Sequence, residues 1–245
     1  WMRWRGVKIF ERDGTAWWGL LASLLFSGEF LLLYWALEYT TTSRGVVFLY
    51  TSPFIVALGV HFFVPGERLR LLQVIGLCCA FAGIVVAFGD NGGAGDTLIG
   101  DMMALLAAVF WGATTVVIKA SPQRRLPAER VLLYQLAGSA IALPLLSLAF
   151  GEAGVTSVTV PVIASMLFQI VMVAFVSYLA WFWLIHRYQA SKISSFGFFS
   201  PLFGVFFGFL IMDEAITPVF IVALVLVAAG IYLVNKPEAV KQTVV

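Results

Sequence analysis

The chain has 245 residues, of which 61% are hydrophobic and only 11% charged, with a formal net charge of +2. Soluble globular domains carry about 25% charged residues, so this composition excludes a soluble fold and calls for an integral membrane protein. The slight positive excess marks membrane topology and gives no argument for a nucleic-acid partner.

A helix needs about 20 apolar residues to cross a hydrocarbon core roughly 30 Å thick. Eight runs meet that need, approximately at 16–37, 45–64, 69–88, 97–118, 131–150, 158–184, 193–212 and 217–235. They are long and continuous, without the ten-residue alternation of barrel strands. The predicted fold is therefore an all-α polytopic helical bundle.

The first run, "LLFSGEFLLLYWALEYT", carries a carboxylate well inside it, Glu29. At 1.5 Å per residue Glu29 lies about 20 Å from Ala16, past the middle of its span. An ionisable group there costs about 2.5–3.5 kcal/mol on insertion scales, so it must face protein or a water-filled cavity. Two roles suit it: a structural hydrogen bond to Ser, Thr or Tyr on a neighbouring helix, or a place on a solute pathway, holding an ammonium group or exchanging a proton. The second and seventh runs each contain a Ser-Pro pair, ending in Pro53 and Pro201. Proline inside a helix removes a backbone hydrogen bond and bends it, so each is read as a fixed kink or as one of a pair of hinges. Cys78 and Cys79 are adjacent within the third run and are expected to be packing residues, not a disulfide framework.

Of the 15 basic residues, 14 fall on alternate connecting segments, and only Arg44 lies on the other side. Because cytoplasmic loops retain Lys and Arg, both termini are expected in the cytoplasm. Polar or aromatic residues at depths comparable to Glu29 are Tyr50, Trp111, Thr114, Tyr134, Gln135, Gln169, Ser177 and Tyr178. Amides and hydroxyls can orient an amino-acid-like solute while aromatic faces cover its apolar part or attract its cation. With Glu29 they form the candidate substrate-binding set. Glu67 and Glu214 sit at equivalent turns and are expected to bind helix N-terminal amides or a nearby Arg. His61 and His186 lack the partner spacing of a metal site, and the chain has no nucleophile elbow, phosphate loop or HExxH. Ala87 to Asp90, "AFGD", matches the GxGD of intramembrane aspartyl proteases only superficially. No prosthetic group is implied, and nothing in the sequence calls for an enzyme.

The chain also repeats itself. Trp35 aligns with Trp183, Ser43-Arg44 with Ser191-Lys192, Phe48 with Phe196, and Ser52-Pro53 with Ser200-Pro201, all at an offset of 148. After a one-residue gap Glu67 aligns with Glu214 and Ala82-Gly83 with Ala229-Gly230. The charge count puts the two copies on opposite sides of the membrane, so the repeats are inverted, the arrangement that lets a carrier open alternately to either side.

The order and duplication of these signatures, with the "GDMMALLAAVFWG" helix (Gly100 to Gly112) and the "AGI" helix ending each half, resemble the drug/metabolite transporter superfamily in its EamA-type branch. The resemblance runs from Trp17 to Asn235. It implies ten helices as two inverted five-helix repeats, a bacterial inner-membrane location, and export of a small metabolite such as an amino acid. The expected organisation is a cytoplasmic loop (1–15), the remainder of a first repeat with three spans (16–90), a second repeat with five spans (96–235) and a cytoplasmic tail (236–245). Roughly 50–60 residues of the first repeat are then missing. Since the chain starts at Trp1 instead of Met, we read it as lacking two N-terminal helices, with a natural eight-span protein completed by dimerisation as the alternative. The expected partners are a small-molecule substrate, the lipid bilayer and, as a coupling ion, a proton, in a monomer or homodimer. A membrane-embedded enzyme or a non-transporting scaffold is the competing reading.

Overall fold

The computed structural model describes residues 2, 4–8, 13–88, 97–151, 154, 157–212 and 218–236. The predicted Glu214, Asp90 and Lys241 lie outside these residues. The described chain is helical: α1 (Ala16–Tyr39), α2 (Thr42–Leu49), α3 (Ser52–Phe63), α4 (Leu71–Phe88), α5 (Leu98–Ala120), α6 (Ala128–Ala149), α7 (Val160–Phe168), α8 (Tyr178–Arg187), α9 (Ala190–Ser195), α10 (Phe199–Met212) and α11 (Pro218–Asn235). A π-helical stretch, Gln169–Ser177, joins α7 to α8 without interruption. Among the described residues five segments are long and apolar enough to cross a membrane: Ala16–Tyr39, Arg44–Phe63, Leu98–Ala120, Ala128–Ala149 and Val160–Arg187. α4, α9–α10 and α11 occupy the other three predicted positions.

The Ser-Pro spans depart from the kinked helix that the sequence suggests. Between α2 and α3 the helix stops at Tyr50–Thr51 and restarts at Ser52, which puts Pro53 in the first turn of a new helix. Its missing N–H falls where a helix has unpaired donors in any case, so no hydrogen bond is lost. Thr51 closes the break by donating Oγ1 to the Phe48 carbonyl at 2.7 Å. The second copy changes geometry at the equivalent place, here without a non-helical residue between. α9 gives way to a 3₁₀ turn at Phe196–Phe198, and α10 begins at Phe199 with Pro201 in its first turn. Both prolines therefore mark paired breaks in two discontinuous spans.

The repeat is visible in how its copies touch. A Cβ placed on Gly76 would lie 2.7 Å from the Gly230 carbonyl oxygen, and one on Gly83 2.8 Å from that of Ala223. At the aligned offset Gly76 corresponds to Ala223 and Gly83 to Gly230. Each residue thus meets the counterpart of the other, as a two-fold relation requires, and α4 runs antiparallel to α11. Tyr50 and Phe198, equivalent at the offset of 148, also meet, with ring centroids 6.4 Å apart. A residue can touch its own repeat equivalent only beside the axis that relates them. The pseudo-two-fold axis therefore passes between the two broken helices, and the repeats are inverted.

Helix packing relies on small residues, as expected where lipid removes the hydrophobic drive for helix association. Gly100 lies against the α1 backbone at Ala36 and Thr40, Gly112 against Ile55, and Gly138 against Ser23. In contrast, no residue of α7 or the π stretch is buried.

Candidate functional site

The centre of the bundle holds a cavity of about 300 Å³ next to the pseudo-axis. α5 supplies Trp111, Thr114 and Thr115, which recur at i, i+3 and i+4 and so share one helix face. α6 contributes Gln135, α1 contributes Phe26, and the junction of the π stretch with α8 contributes Ser177 and Tyr178, followed one turn later by Trp181 and Phe182. The second broken helix opens Gly197 and Ser200 into the same space.

Five of the predicted binding residues meet here: Trp111, Thr114, Gln135, Ser177 and Tyr178. Tyr50 stands behind Trp111, edge-on at 6.1 Å with the rings at 80°, and its side chain also interacts with Ser200. Gln169 lines an adjoining cavity of about 340 Å³, which shares Phe26 and Tyr178 with the first. Tyr134 does not reach the site. Its ring covers Gly19 and its hydroxyl lies 3.1 Å from Thr15 Oγ1 at the start of α1. Tyr134 therefore faces the start of α1, while Gln135 faces the cavity.

Two buried side chains in this region carry polar atoms with no hydrogen-bond partner among the described residues. Gln135 is fully buried, and neither its amide nitrogen nor its amide oxygen is bonded. Glu29 is 7% exposed, which turns it away from lipid, and its Oε2 has no partner. The structural hydrogen bond considered for Glu29 is thus not made by that oxygen. Glu29 lies one turn from Phe26 on α1 and within electrostatic reach of Tyr178. Buried amides and carboxyls are ordinarily bonded, so these groups suit a site that a solute or water completes.

No side chain lining the cavity is charged. Charges collect instead at the ends of the bundle. Asp101 accepts from Thr40 Oγ1 at 2.8 Å and from Arg44 Nε at 3.2 Å, and it also pairs with Arg44 Nη2. At the opposite end Lys119 Nζ lies 2.6 Å from Glu67 Oε1, and Glu67 Oε2 accepts from the Ala190 N–H at 2.7 Å. The expected helix N-terminal role of Glu67 is therefore present, with Lys119 as its cation in place of an Arg. His61 Nδ1 accepts from the Leu69 N–H, and His186 lies between the carbonyls of Phe182 and Gln123. Among the described residues no cluster of three or more His, Cys, Asp or Glu could hold a metal ion. Cys78 and Cys79 are free thiols.

The named residues also carried a signal for the lining residues that went unread. Phe26 precedes Glu29 by three positions, Thr115 follows Trp111 by four, and Trp181 and Phe182 follow Tyr178 by three and four. These are same-face spacings on a helix.

An antiparallel, two-fold-related helical membrane bundle with discontinuous helices meeting around a central cavity is the architecture of a secondary carrier. The EamA-like transporter family matches residues 2–89 and 98–236, and the chain belongs to it. The uncharacterised transporter YoaV of Bacillus subtilis is 26% identical over 216 residues, 87% of this chain and 73% of that protein. YvbV of the same organism, also an uncharacterised transporter, is 32% identical over 72% of this chain and 58% of its own length. A probable amino-acid metabolite efflux pump of Escherichia coli is 25% identical over 74% of this chain and 62% of that protein. A solved crystal structure superposes with a TM-score of 0.80 at 23% identity, covering 96% of this chain and 80% of the other, which shows the shared fold.

Proposed function

We propose that the chain carries a small metabolite, amino-acid-like in size and polarity, out of a bacterial cell across the inner membrane by alternating access. The observation that carries this reading is the axial cavity, in which the buried amide of Gln135 faces aromatic walls with no partner of its own. An amide offers two donors and an acceptor, enough to orient an amino or carboxyl group, while Trp111 and Tyr178 cover apolar surface. About 300 Å³ is at the small end of ligand sites, which suits a metabolite more than a bulky drug. The names of the Escherichia coli and Salmonella typhimurium relatives, both probable amino-acid metabolite efflux pumps, support the substrate class. The basic residues crowded on one side support cytoplasmic termini. Glu29 is the candidate for proton exchange or for binding an ammonium group.

The test is flux. Protein reconstituted in liposomes is loaded with labelled amino acids and related metabolites, and efflux is followed for the wild type and for Gln135→Leu. The expected result is transport of at least one solute, with Gln135→Leu slower by about tenfold, the worth of one or two lost hydrogen bonds to a buried ligand. Absence of flux across the whole panel favours a membrane enzyme or a scaffold.

A further inference from the structure

The charged clusters at the two ends of the bundle share one helix. α5 carries Asp101 in its first turn and Lys119 in its last, which suits the helix dipole at both ends. Eighteen residues of helix separate them, roughly 27 Å, so one charge lies near each membrane face. Both pair with residues of the first repeat, Asp101 with Arg44 of α2 and Lys119 with Glu67 after α3. Each cluster also ties in further backbone or side chains. Thr40, at the end of α1, donates to Asp101. Lys119 donates to the carbonyls of Ile185 at 2.6 Å and Tyr188 at 3.0 Å, while Glu67 receives the N–H of Ala190. Cation and anion thus bridge the turn between α8 and α9, the cation at the carbonyl end of one helix and the anion at the amide end of the next.

The side chains of Asp101, Lys119 and Glu67 are 5%, 11% and 9% exposed. A shielded ion pair is a poor source of stability, since desolvation offsets much of its Coulomb attraction. It is, however, a contact that water can replace once the end opens. Apolar packing at the same place has no such substitute, and an ion pair at the bilayer centre has no water to take over. Between the clusters lies the uncharged cavity, whose wall includes Trp111 and Thr114 of the same helix.

Resting on the alternating-access reading above, we infer that Arg44–Asp101 and Lys119–Glu67 are the two latches of the pathway, each closing one end and parting when that end opens. α5 is the post to which both fasten, so the halves can rock about it. Removing one latch shifts the population toward the state open at that end and leaves the other latch holding.

The experiment reads which side the cavity faces, without flux. The full chain carries Thr114→Cys, with Cys78 and Cys79 replaced by Ala, and is labelled with a membrane-impermeant maleimide in intact cells and in inverted membrane vesicles. Asp101→Asn and Glu67→Gln keep the shape and hydrogen-bonding capacity of the groups they replace. The expected result is that the two variants move the ratio of labelling from the two sides in opposite directions, each by about fivefold or more, the low end of ordinary conformational coupling. Opposite shifts are diagnostic whichever end faces outward. Should either variant fail to fold, Arg44→Gln or Lys119→Met breaks the same pair from its other member. Labelling that the variants leave unchanged, or that both shift the same way, overturns the latches while keeping the cavity as a pathway. No labelling from either side in any variant overturns the cavity reading and the latches with it.

Discussion

At the scale of single residues, the structure separates polar groups that are satisfied from those that are not. Asp13 is among the satisfied. It accepts from Thr15 Oγ1 at 2.6 Å and from the Thr15 N–H at 3.0 Å, and it meets Arg130 at 2.9 Å. The Thr15 hydroxyl, aided by the Arg130 charge, holds its carboxyl below the ordinary aspartate range. A carboxyl whose pKa is lower folded than unfolded adds stability above its unfolded value, near pH 4, and loses it as pH falls through the folded value. Asp13→Asn is therefore expected to lower the melting temperature at pH 7, with the gap to wild type closing below about pH 4. Thermal unfolding in detergent over a pH series checks it. Glu29 is the contrasting case, buried with an unpartnered oxygen. If it takes part in transport, Glu29→Gln folds and inserts normally but changes flux. Loss of cationic and zwitterionic solutes with neutral ones spared marks an ammonium site, and loss of uphill movement with exchange retained marks proton coupling. Wild-type flux in that variant leaves Glu29 a structural residue. Glu29 was legible in the sequence because it interrupts an apolar run, whereas Asp13 lies before the first run and stood out by nothing. Tyr134 matches Glu29 in depth by sequence but faces Gly19 and Thr15, because depth in the membrane does not fix direction around the helix.

Elements explain what the sequence left ambiguous. A Ser-Pro pair within an apolar run reads the same whether the helix bends at proline or stops and restarts there. The difference lies in the preceding turn, where Thr51 or a 3₁₀ segment satisfies carbonyls that a continuous helix would have used. Of the contact between α4 and α11 the sequence shows only the aligned Ala82-Gly83 and Ala229-Gly230 pairs. Around Gly230 an added Cβ would lie 2.5 Å from both the Ala80 nitrogen and the Gly76 oxygen. Those are backbone atoms of a packed helix and cannot turn aside. Gly230→Ala is thus expected to destabilise the fold by about 1–3 kcal/mol, the usual cost of overpacking. A similar loss is expected for Gly76→Ala, which meets the Gly230 oxygen at 2.7 Å. Urea unfolding in mixed micelles measures both, and a change under about 0.5 kcal/mol, the scatter of neutral sites, would mean that the helices part without cost.

At the scale of the molecule, the class of fold and the order of spans were readable because a membrane helix must satisfy its own backbone. That constraint makes each span a continuous apolar stretch. The inversion was readable too, since charge asymmetry reports direction independently of similarity. The cavity was not, because its position depends on where two broken helices cross, a three-dimensional fact with no local trace in the chain. The contact of Tyr50 with Phe198 across the axis has a consequence for energetics. Were the two halves identical, exchanging their conformations would return the same molecule turned over, and its two forms would carry equal Boltzmann weight. Any bias between them must then come from mismatches at equivalent positions: a phenol opposite a phenyl at Tyr50 and Phe198, a hydrogen opposite a methyl at Gly76 and Ala223, a guanidinium opposite an ammonium at Arg44 and Lys192. The resting preference of the protein is thus written in the positions at which its two copies differ.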